Sequence, residues 1–107
     1  MKKSLLLVPL VLSAIALPVN ALTVKQAEEI GFRDGMEVCR AIARGAKNMT
    51  ELVLLSRVDP HGDRDYINWI NQLPNGHPIY EAFRRGSNQG TEPCEKQWRA
   101  VAKRGWK

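Results

Sequence analysis

The stretch that decides the fold is residues 23–47, TVKQAEEIGFRDGMEVCRAIARGAK. Its small and apolar residues recur at steps of three and four, and charged residues fill most of the positions between them. This spacing is typical of an amphipathic helix rather than of a strand. Thr23 and Gln26 stand three positions apart, which is the spacing of a capping box at the start of a helix. The sequence therefore predicts a long helix from near Thr23 to about Lys47.

Small residues form a ridge along one side of this predicted helix. They stand four positions apart and are Ala27, Gly31, Gly35, Cys39 and Ala43. A glycine inside a helix costs about 1 kcal/mol relative to alanine, so close contact with another segment should offset that cost. Either a helix or hydrophobic ligand from outside the domain, or the chain's own segment around Cys94, could supply this contact. We favour packing within the chain, because a disulfide needs Cα atoms less than about 7 Å apart.

Two further helices are predicted in the middle of the chain. The second should begin after the cap residue Asn48 and stop before Pro60, and its apolar run at residues 52–55 predicts burial on most sides. The third should begin at Asp63 as cap residue and reach Leu73. No stretch of the sequence shows the sustained alternation that a strand requires.

The last part of the chain also reads as helical. A fourth, short helix is predicted from Pro78 to about Arg85, with Gly86 as its C-terminal stop. Thr91 is expected to cap a last helix that carries Pro93 in its first turn. The predicted fold class is therefore all-α, a compact array of four to five short helices with one disulfide.

The length and composition limit the classes of protein that this chain can represent. Its 107 residues are 44% hydrophobic and 25% charged, which indicates one globular domain rather than a disordered chain. The sequence contains no glycine-rich phosphate loop, no CxxC pair, no HExxH motif and no nucleophile elbow. We expect neither an enzyme nor a cofactor.

The first 21 residues predict a secretory signal peptide. Two lysines near the start form its positive region, residues 5–17 are an uncharged run of suitable length, and Ala21 ends a suitable cleavage site. We therefore predict export to the periplasm and a single small helical domain over residues 22–107. The alternative is an uncleaved anchor, because residues 5–24 are long and apolar enough to span a bilayer.

The two cysteines of the exported part predict one disulfide. An even number of cysteines in an oxidising compartment favours pairing of Cys39 with Cys94. The alternative is two separate buried thiols. A metal site is less favoured, because neither cysteine has a histidine or another cysteine at ligand spacing.

Positive charge is concentrated at the C-terminal end of the chain. Residues 84–107 carry seven basic and two acidic side chains, whereas residues 22–83 have a net charge of −2. Basic side chains on one helix face, followed by a tryptophan beyond the helix end, are typical of binding hot spots. The predicted partner-binding residues are Arg99, Lys103, Arg104, Trp106 and Lys107.

Two interpretations of this basic segment remain open. Basic residues with tryptophan suit an anionic envelope surface or an acidic envelope protein, with contact at the membrane surface as one form of this binding. Nucleic acid would also match the charge, but an exported protein seldom meets it, so we expect no nucleic-acid partner. The alternative is a solvated helix face with Trp98 in the core and a frayed tail.

The densest polar cluster lies at residues 59–65, DPHGDRD. Its three carboxylates and His61 resemble an oxygen-rich cation loop, but the twelfth position is Ile70 instead of the glutamate that calcium loops use. Asp59 and Asp63 also suit turn formation and helix capping. His61 or His77 could act as a general base, yet neither has a recognisable nucleophile beside it. We expect no metal and no catalytic residue.

These features favour a small periplasmic binding protein that acts by occupying a partner, such as an inhibitor, immunity or lysis-control factor. Small size, predicted export, one disulfide and the lack of a catalytic motif motivate this expectation. The alternative is an envelope-surface or acid-stress chaperone-like factor that uses exposed apolar and basic faces.

Overall fold

The computed structural model describes residues 22–56, 59 and 61–107. Within them the protein is all-helical and folds into a compact globule with one disulfide, as the sequence predicts. The helices are α1 (Val24–Ala43), α2 (Met49–Leu55), α3 (Arg64–Ile70), α4 (Pro78–Thr91) and α5 (Glu95–Arg104), with a 3₁₀ turn at Glu92–Cys94 between α4 and α5. The predicted signal peptide, residues 1–21, lies outside the described residues. Among the helices described, none combines the length and hydrophobicity needed to cross a bilayer.

Local sequence signals set both ends of α1. The Thr23 hydroxyl accepts from the Gln26 amide at 3.0 Å, and the Thr23 amide donates to Gln26 Oε1 at 2.9 Å, which confirms the capping box. The helix ends at Ala43, earlier than the predicted end near Lys47. Gly45 adopts a φ of 111°, and its amide donates to the carbonyl of Ile42. This left-handed glycine closes the helix in the usual C-terminal motif.

The ridge of small residues on α1 packs against α4 of the same chain. Gly31 and Gly35 of α1 lie against backbone atoms of Phe83, Ser87 and Gly90. The expectation of close packing within the chain is therefore confirmed. Most of this contact comes from α4, and the segment at Cys94 contributes a small part. Close approach of two helix backbones offsets the conformational cost of the glycines.

The prediction that Gly86 ends the fourth helix is wrong. Helix α4 continues through Gly86 and Gly90 to Thr91. A Cβ atom at Gly86 would lie 1.9 Å from the carbonyl oxygen of Glu28, so this glycine allows α1 to approach. Helix contact has thus overridden the local tendency of glycine to terminate a helix.

Three other predicted helix details differ in the structure. Helix α3 ends at Ile70, before the predicted Leu73. Asp63 occupies the cap position of α3 but forms no capping hydrogen bond with its side chain. Thr91 ends α4 instead of capping the last helix, and its hydroxyl donates to the carbonyl oxygen of Ser87 at 3.1 Å.

Helix α2 is less buried than its apolar sequence predicts. Asn48 caps it as expected, accepting from the Glu51 amide at 2.9 Å. Of its residues only Leu52 is buried, whereas Val53 is 56% and Leu54 is 75% exposed. The prediction of burial on most sides is wrong because this short helix contacts the rest of the protein along one face.

The core has two parts joined by α1. The first core comprises Leu22, Ala27, Ile30, Ile70, Ile79, Ala82 and Phe83, so it joins α1 to α3 and α4. The second core comprises Ala41, Ala46, Leu52 and Val101, with partly buried neighbours that include Val38 and Trp98. The second core joins the C-terminal half of α1 to α2 and α5.

The disulfide between Cys39 and Cys94 is present, as predicted from the sequence. It joins α1 to the 3₁₀ turn, with the two Cα atoms 5.6 Å apart and 55 positions apart in sequence. The alternative of two separate thiols does not hold. The covalent bond fixes the start of α5 against α1, next to the second core.

Candidate functional site

The predicted partner-binding residues lie together at the C-terminal end of the protein. Val101 is only 2% exposed and Trp98 packs against the second core, so these two residues attach α5 to the domain. The opposite side of α5 and the tail after it are exposed. We call this side and tail the C-terminal basic surface, formed by Arg99, Lys103, Arg104, Trp106 and Lys107.

The cations of this surface differ in their intramolecular partners. Arg99 forms an exposed ion pair with Glu95, one helical turn earlier. The Arg104 guanidinium donates to the carbonyl oxygen of Lys47 at 2.8 Å. Within the described residues, Lys103 and Lys107 have no acidic partner. A partner could therefore engage these two lysines without breaking an ion pair or the hydrogen bond that Arg104 forms.

The tail that carries Trp106 is attached to the domain. Gly105 ends α5 with a φ of 71°, and its carbonyl oxygen accepts from the Met49 amide at 2.9 Å. Trp106 follows immediately and is 70% exposed. A backbone held by hydrogen bonds thus presents a large aromatic side chain to solvent. The alternative of a solvated helix face with Trp98 in the core and a frayed tail after Lys103 stays an interpretation of this segment.

A second candidate site is a cleft of about 450 Å³ bounded by α1, α2 and α3. Its apolar walls include Leu52 and Trp98, on the side of the second core, and Ile67 of α3. Its polar lining includes four carboxylates and two guanidinium groups, those of Asp34, Glu37, Asp59, Asp63, Arg33 and Arg64. We call it the acidic cleft. Apolar walls with a few converging polar groups are typical of binding pockets.

One carboxylate of the acidic cleft already has a cationic partner. Arg33 donates to Asp63 through Nε at 2.9 Å and through Nη2 at 3.1 Å. The hydrogen bond to Asp63 raises the pKa of Arg33, and nearby carboxylates add to this effect against the opposing effect of burial. This two-point contact ties α1 to the start of α3, and it explains why Asp63 does not cap its own helix.

Glu37 is the buried acid of the cleft. The residue is 7% exposed, and one carboxylate oxygen, Oε2, accepts from Arg40. The other oxygen, Oε1, is buried without a hydrogen-bond partner among the described residues. Buried polar atoms without a partner are uncommon in folded proteins because each loses its hydration without compensation.

Asp34 lies on the same side of α1 as Glu37 and also lines the cleft. Burial raises the pKa of Asp34 above its usual range, and the neighbouring carboxylates of Asp63 and Glu37 raise it further. All three causes disfavour the negative charge of Asp34.

Replacing Asp34 with asparagine should stabilise the protein at neutral pH more than at acidic pH. Because the pKa of folded Asp34 is raised, its contribution to stability is full below the unfolded value of 3.8 and is lost as pH rises through the folded pKa. Asparagine cannot ionise, so the advantage of Asp34→Asn should appear above the folded pKa. Urea unfolding at pH 3 and pH 7 measures the free energy of unfolding of the variant and the wild type at each pH. Glu29→Gln, on the exposed side of α1, is the control. An equal advantage at both pH values would contradict this account.

Two acids of the polar sequence cluster, Asp59 and Asp63, have structural roles. Asp59 is exposed, adopts a φ of 47° and accepts from the Arg64 amide at 2.9 Å. Asp63 is held by Arg33. Within the described residues, no group of three or more histidine, cysteine or acidic side chains is arranged to hold a metal ion.

The two histidines have different surroundings. His61 is exposed on the rim of the acidic cleft. His77 caps α4, since its Nδ1 accepts from the Ile79 amide at 3.1 Å. This hydrogen bond gives His77 a structural role at the start of α4.

Sequence reasoning missed the acidic cleft. Asp34 and Glu37 stand in an amphipathic pattern, in which charged residues are ordinarily solvent-facing. The available signal was their spacing of three positions next to the apolar Val38, which places two acids beside a packed face of α1.

Comparison with protein-family models, with curated proteins and with solved structures finds no match.

Proposed function

We propose that this chain is a small exported binding protein of the periplasm that acts by occupying a partner, as an inhibitor, immunity or lysis-control factor does. It performs no chemistry of its own, and it engages an envelope protein with an acidic face through the C-terminal basic surface. The predicted signal peptide at residues 1–21 supports the location, and the positive charge of residues 84–107 supports the choice of partner.

The observation that carries the proposal is the exposure of Trp106 on an anchored backbone. An aromatic side chain that is 70% exposed gains buried apolar area only when a partner covers it. Because Gly105 is hydrogen-bonded to α2, less conformational entropy is lost when the partner binds. Lys103 and Lys107 stand three positions before and one position after Trp106 in the sequence, and their positive charge attracts an acidic surface.

The combined substitution Trp106→Ala with Lys103→Ala should weaken partner binding at least tenfold. The change removes the tryptophan, a residue type common at binding hot spots. It also removes the positive charge of Lys103, which has no acidic partner in the described part of the chain. Wild-type and variant proteins, exported and purified with the disulfide intact, are used to capture partners from periplasmic and membrane fractions. Captured partners are then measured by titration in 0.1 M salt.

The control is Arg84→Ala with Arg85→Ala, which removes two positive charges from the exposed side of α4. The proposal requires one stoichiometric envelope partner that the control retains and the test variant loses, with weaker binding at 1 M than at 0.1 M salt. Capture of no envelope partner, or equal binding by both variants, would show that the proposal is wrong.

The exposed leucine of α2 favours a second candidate function, a chaperone-like factor of the envelope. Leu54 and Val53 are exposed side by side on α2, which gives an apolar surface suited to unfolded chains. A chaperone activated by acid should gain binding of an apolar dye near pH 3, whereas a partner-occupying protein should keep its structure and its single partner.

A further inference from the structure

We propose that the acidic cleft is a binding site for one arginine side chain of a partner protein. The acidic cleft is separate from the C-terminal basic surface. Its proposed ligand is positively charged, whereas the basic surface is proposed to bind an acidic partner. The inference does not depend on the proposed function, because its test uses a small probe and needs no identified partner.

The first argument is the unpartnered oxygen of Glu37. Two arginines are already committed to carboxylates of the cleft: Arg33 to both oxygens of Asp63, and Arg40 to Oε2 of Glu37. A third arginine of the lining, Arg64, is exposed and forms no ion pair within the described residues. Oε1 of Glu37 has no donor among the described residues although the side chain is 91% buried. A donor entering the cleft and a small rotation of the carboxylate would supply the missing hydrogen bond.

The second argument is the excess of negative charge. Arg33 pairs with Asp63 and Arg40 pairs with Glu37. Asp34 also lines the cleft and has no cationic partner among the described residues. Burial and two neighbouring carboxylates raise the pKa of Asp34, and no cation lowers it. A positive ligand would relieve this repulsion, whereas an anionic ligand would increase it.

The third argument concerns the shape and polarity of the ligand. The walls formed by Val38, Leu52 and Trp98 suit an aliphatic stem, and only the head needs polar contacts. A guanidinium carries five donors in a plane, is less strongly hydrated than an ammonium and stacks on aromatic rings such as that of Trp98. These properties favour arginine over lysine in a partly buried acidic site.

The probe that tests this assignment is N-acetyl-arginine amide, which has no charged termini and so represents an arginine within a chain. At the ligand efficiency of ordinary small ligands its dissociation constant should be about 1 mM. Two-dimensional NMR of the oxidised full-length chain follows the titration. Saturable shifts should appear at residues that line the cleft, including the indole NH of Trp98.

Matched ligands separate charge from shape. N-acetyl-citrulline amide has nearly the same shape but no charge, and it should bind at least tenfold more weakly. Free arginine adds an α-ammonium and an α-carboxylate whose charges cancel, and a site for a side chain within a protein offers neither of them a dedicated partner. It should therefore bind no more tightly than the capped probe. Tighter binding of free arginine would assign the cleft to the amino acid and overturn the assignment to a protein side chain.

Matched variants locate the binding. Glu37→Gln should weaken binding of the capped probe at least tenfold, and Asp34→Asn, at a less buried position, should weaken it several-fold. Glu29→Gln removes the same charge from α1 outside the acidic cleft and should leave binding within twofold of wild type. Absence of saturable binding, shifts outside the cleft, or full binding by folded Asp34→Asn would each overturn the inference.

Discussion

Replacing Cys39 and Cys94 together with serine is expected to lower the free energy of unfolding by about 4 kcal/mol. The bond closes a loop of 55 positions, and its removal returns that loop's conformational freedom to the unfolded chain. A domain of this size has a total stability of roughly 5–15 kcal/mol, so the loss is a large share of it. The protein without the disulfide should be partly unfolded near 37 °C.

Urea unfolding of the oxidised wild type and of the double variant measures this loss. Reduced wild type is the control, because it lacks the covalent bond but retains both sulfur atoms, and it should unfold close to the variant. Thiol labelling of the native exported protein should detect no free thiol. Equal unfolding midpoints for the oxidised protein and the variant would show that the bond contributes nothing to stability.

The sequence predicts those parts of the fold that depend on near neighbours. The capping box of α1 joins Thr23 to Gln26, and the cap of α2 joins Asn48 to Glu51. Each interaction spans three residues, so the local pattern contains all the necessary information. The disulfide is equally accessible to sequence reasoning, since only one pairing of two cysteines exists.

Features that depend on packing between distant segments are predicted less well. The apolar run of α2 suggests burial, but exposure of Leu54 depends on which side of a seven-residue helix meets the core. The acidic cleft depends on how α2 and α3 pack around Asp34 and Glu37. The exposure of the C-terminal basic surface follows from its composition, whereas the hydrogen bond from Arg104 to Lys47 does not.

The glycines of α4 show most clearly how tertiary contact changes the meaning of a sequence signal. Gly86 and Gly90 are four positions apart, like Gly31 and Gly35 on α1. Read alone, Gly86 is a plausible helix stop. Read together, the two pairs are matching ridges. Gly35 and Gly90 meet directly, and Gly31 and Gly86 each lie against the backbone of the opposite helix.

Replacing Gly86 with alanine is therefore expected to lower the free energy of unfolding by at least about 3 kcal/mol. This loss is at or above the upper end of the usual cost of overpacking a core. The new Cβ would lie 1.9 Å from the carbonyl oxygen of Glu28 and 2.9 Å from the amide nitrogen of Phe32. Both are backbone atoms, so no side chain can rotate away, and α1 and α4 must separate along their contact.

The sign of the change distinguishes this account from the alternative that Gly86 is an ordinary helix residue. At an ordinary helical position, glycine to alanine stabilises by up to about 1 kcal/mol. Asn88→Ala, at an exposed position of the same helix, is the matched control and should be neutral or slightly stabilising. Thermal and urea unfolding of the oxidised proteins measure both variants. Stabilisation by Gly86→Ala would show that the backbones of α1 and α4 do not meet at this residue.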